Sequence, residues 1–72
     1  MMTLNNFIRG LKQFSIWHDD QIVIFFYAGP GRKSWLKKPL SDGILMAYGS
    51  YKIEDIQVQD GKLAIYLDVI FI

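Results

Sequence analysis

Residues 56–65 read IQVQDGKLAI, an Asp-Gly pair between two short runs in which apolar and polar residues alternate. Asp-Gly supplies the positive φ angles of a two-residue turn, so this arrangement predicts a β-hairpin. The alternation continues through residues 63–71, which predicts a long second strand. Before Ile56 the alternation slips by one residue, which indicates a bulge near Glu54 and Asp55.

An amphipathic helix is predicted near the N-terminus, from Thr3 to Phe14. Its apolar residues recur at the i, i+3, i+4, i+7 spacing of one helical face. They are Leu4, Phe7, Ile8, Leu11 and Phe14. Thr3 is suited to cap the first turn. Gly10 lowers the intrinsic stability of the helix by about 1 kcal/mol relative to alanine, so we expect the helix to need a sheet that holds it.

Two further strands are predicted in the middle of the chain. Residues 21–27, QIVIFFY, are rich in β-branched and aromatic residues and are apolar at both parities, which is typical of a central strand covered on both faces. Residues 28–31, Ala-Gly-Pro-Gly, have the composition of a turn. Residues 32–37 are then expected to pair back as a hairpin, and Pro39 to stop that strand.

Residues 44–48, ILMAY, are ambiguous between a short helix and a strand. Ser41 or Asp42 as a cap and Gly49 as an end favour one or two helical turns. One helix covers only one side of a sheet, so the other side requires this segment or a second copy of the chain. The sequence thus predicts a single α+β domain over residues 1–72: an N-terminal amphipathic helix packed on a mainly antiparallel sheet of about four strands, closing with a C-terminal β-hairpin.

The composition excludes several classes of protein. Apolar residues make up 51% of the chain and aromatic residues 15%, unlike a disordered segment. The chain has no cysteine, which removes disulfides and thiolate metal sites and leads us to expect a cytoplasmic location. Its longest apolar runs are much shorter than the roughly 20 residues that span a bilayer, and its start lacks the pattern of a secretory signal. We expect no membrane association.

Candidate catalytic and metal-binding groups are sparse. His18, followed by Asp19 and Asp20, is the single histidine, and a metal site needs three or four ligands. We interpret this segment as a polar turn between two strands, with His18 at the surface. Neighbouring carboxylates such as Glu54 and Asp55 point to opposite faces of a strand. We therefore expect a non-enzymatic protein with no catalytic residue, metal, cofactor or small-molecule substrate.

A basic and aromatic segment runs from Arg32 to Lys38 and holds four of the eight basic residues. Its candidate binding residues, for nucleic acid or a partner, are Arg32, Lys33, Trp35, Lys37 and Lys38. Basic side chains contact phosphates while an exposed aromatic ring stacks on a base. The alternative is an edge strand protected by lysines, with its tryptophan in the core. The net charge of +1 favours this alternative, because nucleic-acid surfaces are usually broadly basic.

The aromatic residues exceed what so small a core needs, which indicates an interface with a protein partner or a second copy. On the last strand the even-numbered residues are mixed at first and apolar at the end. We predict self-association through Tyr66, Ile70 and Ile72. A partner copy would cover this apolar patch, which would otherwise favour aggregation.

The whole chain resembles a loose class of short α+β accessory proteins found in phages and conjugative elements of Gram-positive bacteria. The similar features are the opening residues 3–7, TLNNF, the strand at residues 21–27 and the hairpin at residues 56–65. The resemblance implies an accessory protein that binds a host protein or a mobile-element nucleoprotein. Our first hypothesis is thus a protein-interaction module; the alternative is a small nucleic-acid-binding module that uses Arg32 to Lys38.

Overall fold

Two helices and a four-stranded sheet make up the fold, which confirms the predicted α+β class. The computed structural model describes residues 2–14, 17–29, 31 and 34–71. In chain order the elements are α1 (Leu4–Gln13), a 3-10 turn (Asp19–Gln21), β1 (Ile22–Ala28), β2 (Ser34–Pro39), α2 (Asp42–Tyr48), β3 (Ile53–Gln59) and β4 (Lys62–Ile70).

The strand order is β2-β1-β4-β3. The two outer pairs, β1 with β2 and β3 with β4, are antiparallel, as predicted for the sheet as a whole. The central pair, β1 with β4, is parallel, so the sheet is mixed. Helix α2 explains this difference, because it connects β2 to β3 as a crossover and lets the two strands run in the same direction. The hairpin that follows then brings β4 back parallel to β1.

The core lies between one face of the sheet, called the helix face below, and the two helices. It contains alternate residues of the two central strands, which point to the same side because side chains alternate along a strand. The buried apolar residues of this core are Leu4, Ile8, Ile22, Ile24, Phe26, Leu40, Leu63, Ile65, Leu67 and Val69. Both helices contribute to it, since Leu11 of α1 and Tyr48 of α2 pack against the same cluster.

Both helices begin at a side-chain cap. The Thr3 hydroxyl accepts a hydrogen bond from the Asn6 amide at 3.3 Å, and α1 follows over Leu4–Gln13, which confirms the predicted amphipathic helix. The Ser41 hydroxyl accepts from the Ile44 amide at 3.1 Å, so the ambiguous segment is helical. These bonds satisfy amides that have no partner inside the helix.

The C-terminal hairpin turns at Asp60 and Gly61, whose φ angles are 52° and 74°. Two successive residues at positive φ form the tight turn that the Asp-Gly pair predicts. The register of β3 against β4 shifts between Ile53 and Asp55, which confirms the predicted bulge. This bulge sets the orientation of Glu54, which matters for the site described below.

One prediction about the chain before β1 needs correction. The polar turn at His18 was expected to lie between two strands, but Trp17 and His18 belong to no strand; Ser15 and Ile16 lie outside the described residues. The chain instead enters β1 through a 3-10 turn in which the His18 amide donates to the Gln21 side chain at 3.1 Å. The second strand spans Ser34–Pro39, so it continues two residues past the predicted end at residue 37, and Pro39 is its last residue. Its predicted first residues, Arg32 and Lys33, lie outside the described residues.

Candidate functional site

The face of the sheet opposite the helices carries neither helix, and we call it the open face. The segment at 44–48 was one of two predicted covers for it, but α2 packs on the helix face through Ile44, Leu45 and Tyr48. Strand β1 is central, as predicted, yet a helix covers it on one face only. Its residues alternate between buried and half-buried over Ile22–Tyr27, so the expectation of a strand covered on both faces is wrong.

An aromatic cluster occupies the open face and spans three strands. Its members are Phe25 and Tyr27 of β1, Trp35 of β2 and Tyr66 of β4. Cross-strand pairing places them together, because Tyr27 lies opposite Trp35 and Phe25 lies opposite Tyr66. Large rings on one exposed sheet face are unusual in a protein without a partner, so the cluster is the main candidate for a binding surface.

The rings of this cluster pack against one another. Phe25 and Tyr66 stack with centroids 4.5 Å apart and planes 19° from parallel. Tyr27 and Trp35 stack at 4.3 Å and 25°. Trp35 then meets Tyr66 nearly edge to face, at 4.9 Å and 78°. Because these contacts use ring faces inside the cluster, a flat base has less ring surface on which to stack than it has on an isolated exposed aromatic residue.

Trp35 is 42% exposed and lies on the open face. The alternative in which it belongs to the core is therefore wrong. Its position follows from its register opposite Tyr27, which also lies on the open face, whereas the neighbouring Leu36 pairs with buried Phe26. Cross-strand partners in an antiparallel pair share a face.

A chain of polar side chains runs along β3 at the edge of the open face. The Gln57 amide donates to Asp55 at 2.8 Å, and the Gln59 amide donates to Gln57 at 2.6 Å. Gln59 also donates to the Tyr66 hydroxyl at 2.7 Å. Asp55 further accepts from the Ile56 backbone amide at 2.9 Å. These bonds orient the Asp55 carboxylate, which remains exposed.

A second polar contact joins β1 to β3. The Tyr27 hydroxyl donates to Glu54 and lies 2.6 Å from both carboxylate oxygens. Glu54 is at the bulge, which accounts for its reaching a side chain that lies two strands away. Asp55 pairs with Tyr66 on the same face, so the expectation that Glu54 and Asp55 point to opposite faces is wrong. Hydrogen bonds to a charged acceptor are stronger than neutral ones, so this contact holds the Tyr27 ring in place beside Trp35.

One cross-strand row runs through the centre of the open face from edge to edge. It is Lys37 on β2, Phe25 on β1, Tyr66 on β4 and Asp55 on β3. A base and an acid thus flank two stacked rings. The β2 edge is positive in this row and the β3 edge is negative.

The predicted basic segment does not form one surface. Trp35 and Lys37 are on the open face, but Lys38 points to the other side, where its Nζ lies 5.3 Å from the centre of the Phe71 ring. Alternation along a strand dictates this separation. Arg32 and Lys33 lie outside the described residues.

Two of the three predicted self-association residues can be placed on the sheet. Tyr66 and Ile70 are half-buried, and Ile70 pairs with Tyr27 on the open face. Ile72 lies outside the described residues.

Sequence reasoning missed Phe25 and Tyr27 as site residues because it treated the whole strand as core. The signal that could have identified them is the hairpin pairing. It places Phe25 and Tyr27 on the same face as Trp35 and Lys37.

A shallow groove adjoins the cluster at the end of the sheet near the hairpin turn. It has a volume of about 140 Å³ and is lined by Val23, Phe25, Lys37, Gln59, Asp60 and Lys62. Pockets for small molecules usually measure about 300 to 1,000 Å³. This groove is therefore better suited to part of a larger partner than to a whole cofactor.

Chemistry-bearing residues do not converge elsewhere in the described part of the chain. His18 is exposed at the entry to β1. Over residues 2–14, 17–29, 31 and 34–71, no group of three or more histidine, aspartate or glutamate side chains is arranged to hold a metal ion. Within the same ranges, no helix has the length and apolar character needed to cross a membrane.

Comparison of this chain with protein-family models, with curated proteins and with solved structures gives no match.

Proposed function

We propose that this chain is a non-enzymatic protein-interaction module that binds a protein through the open face. The observation that carries the proposal is the cluster of four aromatic residues on a sheet face that neither helix covers. Tyrosine and tryptophan are enriched in protein interfaces because they combine a large apolar area with a polar group. Here polar groups lie at one edge of the cluster, on Asp55, Gln57 and Gln59 of β3.

An aromatic centre beside polar residues resembles the composition of a typical protein interface, which has an apolar centre and a polar rim. The rim groups are already held by hydrogen bonds within the chain, so binding has less side-chain entropy to remove. A rigid aromatic centre has the same advantage. Both features favour a protein partner with a complementary apolar surface.

The alternative partner is a single-stranded nucleic acid. It draws support from Lys37 and Lys62, which line the groove beside Phe25, and from the partial exposure of Trp35. Two observations weigh against it. The rings of the cluster stack on one another, and the open face also carries the carboxylates of Glu54 and Asp55. A phosphate backbone favours a surface of one sign.

The wider role that we propose is that of an accessory protein of a phage or conjugative element, working in the cytoplasm. This part rests on the resemblance of residues 3–7, 21–27 and 56–65 to such proteins, and on the absence of cysteine from the sequence. An accessory protein of this kind acts through the partner that it binds, so identifying the partner defines the role.

A capture experiment tests the proposal. The wild type and two variants, Trp35→Glu and Met46→Glu, are used to capture proteins from the source cell, with and without nuclease. Both substitutions add one charge at an exposed apolar residue, but Met46, which is 88% exposed, is on α2. We expect a nuclease-resistant partner that Met46→Glu retains and Trp35→Glu loses.

Two results would overturn the proposal. One is a partner that both variants retain, because binding would then occur away from the open face. The other is capture that nuclease abolishes, together with direct binding of purified oligonucleotide, which would favour the alternative. A folded state of each variant, checked by circular dichroism, makes either result interpretable.

A further inference from the structure

We infer that a second copy of this chain is the partner of the open face, and that the two sheets pack face to face about a two-fold axis parallel to β1 and β4. The inference deepens the proposed function and rests on it. It follows from the register of the sheet, which places opposite charges at the two ends of one row of the open face.

The central row gives the charge argument. Lys37 and Asp55 lie at opposite ends of this row, with Phe25 and Tyr66 between them. Three strand spacings of about 4.8 Å separate the strands that carry them by about 14 Å. That distance is too long for an ion pair within one chain. Each charge thus lies at an edge of the sheet, where a second molecule can neutralise it.

The two-fold axis runs along the strands, between β1 and β4. Rotation about it places β2 of one copy opposite β3 of the second copy, and residues of the central row in one copy face residues of the same row in the other. Lys37 of one copy then faces Asp55 of the second copy, and the symmetry creates the same pair twice. Isologous interfaces have this property, because one surface supplies both members of each contact. The carboxylate is already oriented by the Ile56 and Gln57 amides.

The same axis matches the apolar residues. Phe25 of one copy faces Tyr66 of the second copy, and Tyr27 faces Ile70, because each pair shares a row on the two central strands. Packed sheets lie about 10 Å apart. A lysine side chain bridges that gap to a carboxylate.

The size of the face sets the strength of the association. Four strands and the seven residues of β1 give a flat footprint of about 20 by 23 Å, or roughly 450 Å² for each copy. Standard interfaces bury about 800 Å² per partner. The dimer is therefore expected to be weak and to form with increasing protein concentration.

Charge reversal tests the inference by sedimentation equilibrium at high protein concentration. Lys37→Glu and Asp55→Lys should each raise the dimer dissociation constant about tenfold or more, since each turns two attractive pairs into two repulsive ones. The doubly substituted chain restores both pairs with the signs exchanged and should return close to the wild-type constant. Lys12→Glu, on the exposed side of α1, makes the same charge change and should have no effect.

Cross-linking provides a second measurement that does not depend on charge. The chain has no cysteine, so single-cysteine variants report one site each. Mixed Lys37→Cys and Asp55→Cys proteins should form a heterodimer with a bismaleimide matched to the sheet spacing of about 10 Å. Mixed Lys12→Cys and Asp55→Cys proteins should not.

The outcomes separate this inference from the proposed function. A monomer at every concentration, or a dimer that neither reversal weakens and that cross-links only through Lys12→Cys, overturns the two-fold dimer. The proposed function survives that result if Trp35→Glu still abolishes capture of another protein. If the chain is monomeric and captures no protein through the open face, both ideas fail.

Discussion

Phe25 and Tyr66 lie side by side on the two parallel central strands, with ring centroids 4.5 Å apart and planes 19° from parallel. This pair fixes the middle of the open face. Stacked rings of this kind stabilise each other by about 0.5 to 1.5 kcal/mol beyond the area that they bury. The result is a rigid apolar centre that is formed before any partner arrives.

The first prediction concerns how much each face contributes to stability. Phe26→Ala removes a fully buried ring from the core and should lower the free energy of unfolding by about 3 to 5 kcal/mol. Trp35→Ala should cost only about 1 to 2 kcal/mol, because the ring is 42% exposed and loses mainly its contacts with Tyr27 and Tyr66. Urea denaturation of both variants measures the difference. Equal losses would place Trp35 in the core.

The second prediction concerns the hairpin turn. Gly61 has φ 74°, a conformation that residues with a side chain rarely adopt, so Gly61→Ala should destabilise the fold by about 1 kcal/mol or more. The matched control is Gly43→Ala in α2, where the added Cβ would lie 3.8 Å from the Ser41 hydroxyl oxygen and fits without strain. This control should stabilise α2 by up to about 1 kcal/mol, since alanine favours helix. Thermal unfolding of both variants distinguishes the two directions, and a loss of equal size in both would contradict the account.

The third prediction concerns the cap of α2. Ser41→Ala removes the hydroxyl that accepts from the Ile44 amide at 3.1 Å and should cost about 1 kcal/mol. Ser50→Ala changes an exposed serine in the turn after α2 and should be neutral within about 0.5 kcal/mol. If the two variants unfold at the same denaturant concentration, the cap does not stabilise α2.

Most of the fold could be predicted from local sequence signals. Spacing of apolar residues identified α1, the Asp-Gly pair identified the hairpin, and the change of phase before Ile56 identified the bulge. The parallel pairing of β1 with β4 could not be predicted in this way, because the order of strands depends on long-range packing. No local pattern states which strand lies next to which.

The candidate site was harder to predict for the same reason. Trp35 and Lys37 were singled out from the basic segment, but their neighbours Phe25 and Tyr66 come from distant parts of the chain and join them only through strand pairing. Odd- and even-numbered residues of β1 are both apolar, so the sequence did not indicate that no helix covers one of the two faces. Which face stays uncovered depends on the side of the sheet on which α2 packs, and the sequence does not predict that side.

The fourth prediction concerns nucleic acid. We expect the wild type to show no binding of single-stranded oligonucleotide at low salt, where electrostatic attraction is strongest. If the basic segment bound phosphates through four contacts, affinity would fall with salt at a log-log slope near −3, from about −0.7 for each contact. A slope of that size, measured by fluorescence anisotropy, would contradict the protein-binding account. Binding lost in Trp35→Ala without loss of folding would support the alternative.

The central claim, that the open face binds a second copy of the chain, is tested most directly by the two tryptophan indole N–H signals in an NMR dilution series. Trp35 lies on the open face, whereas Trp17 packs against the core on the helix face. We predict that the Trp35 signal shifts with protein concentration and that the Trp17 signal does not. A Trp35 signal that stays fixed while Trp17 shifts would contradict the account, because association would then involve the other side of the molecule.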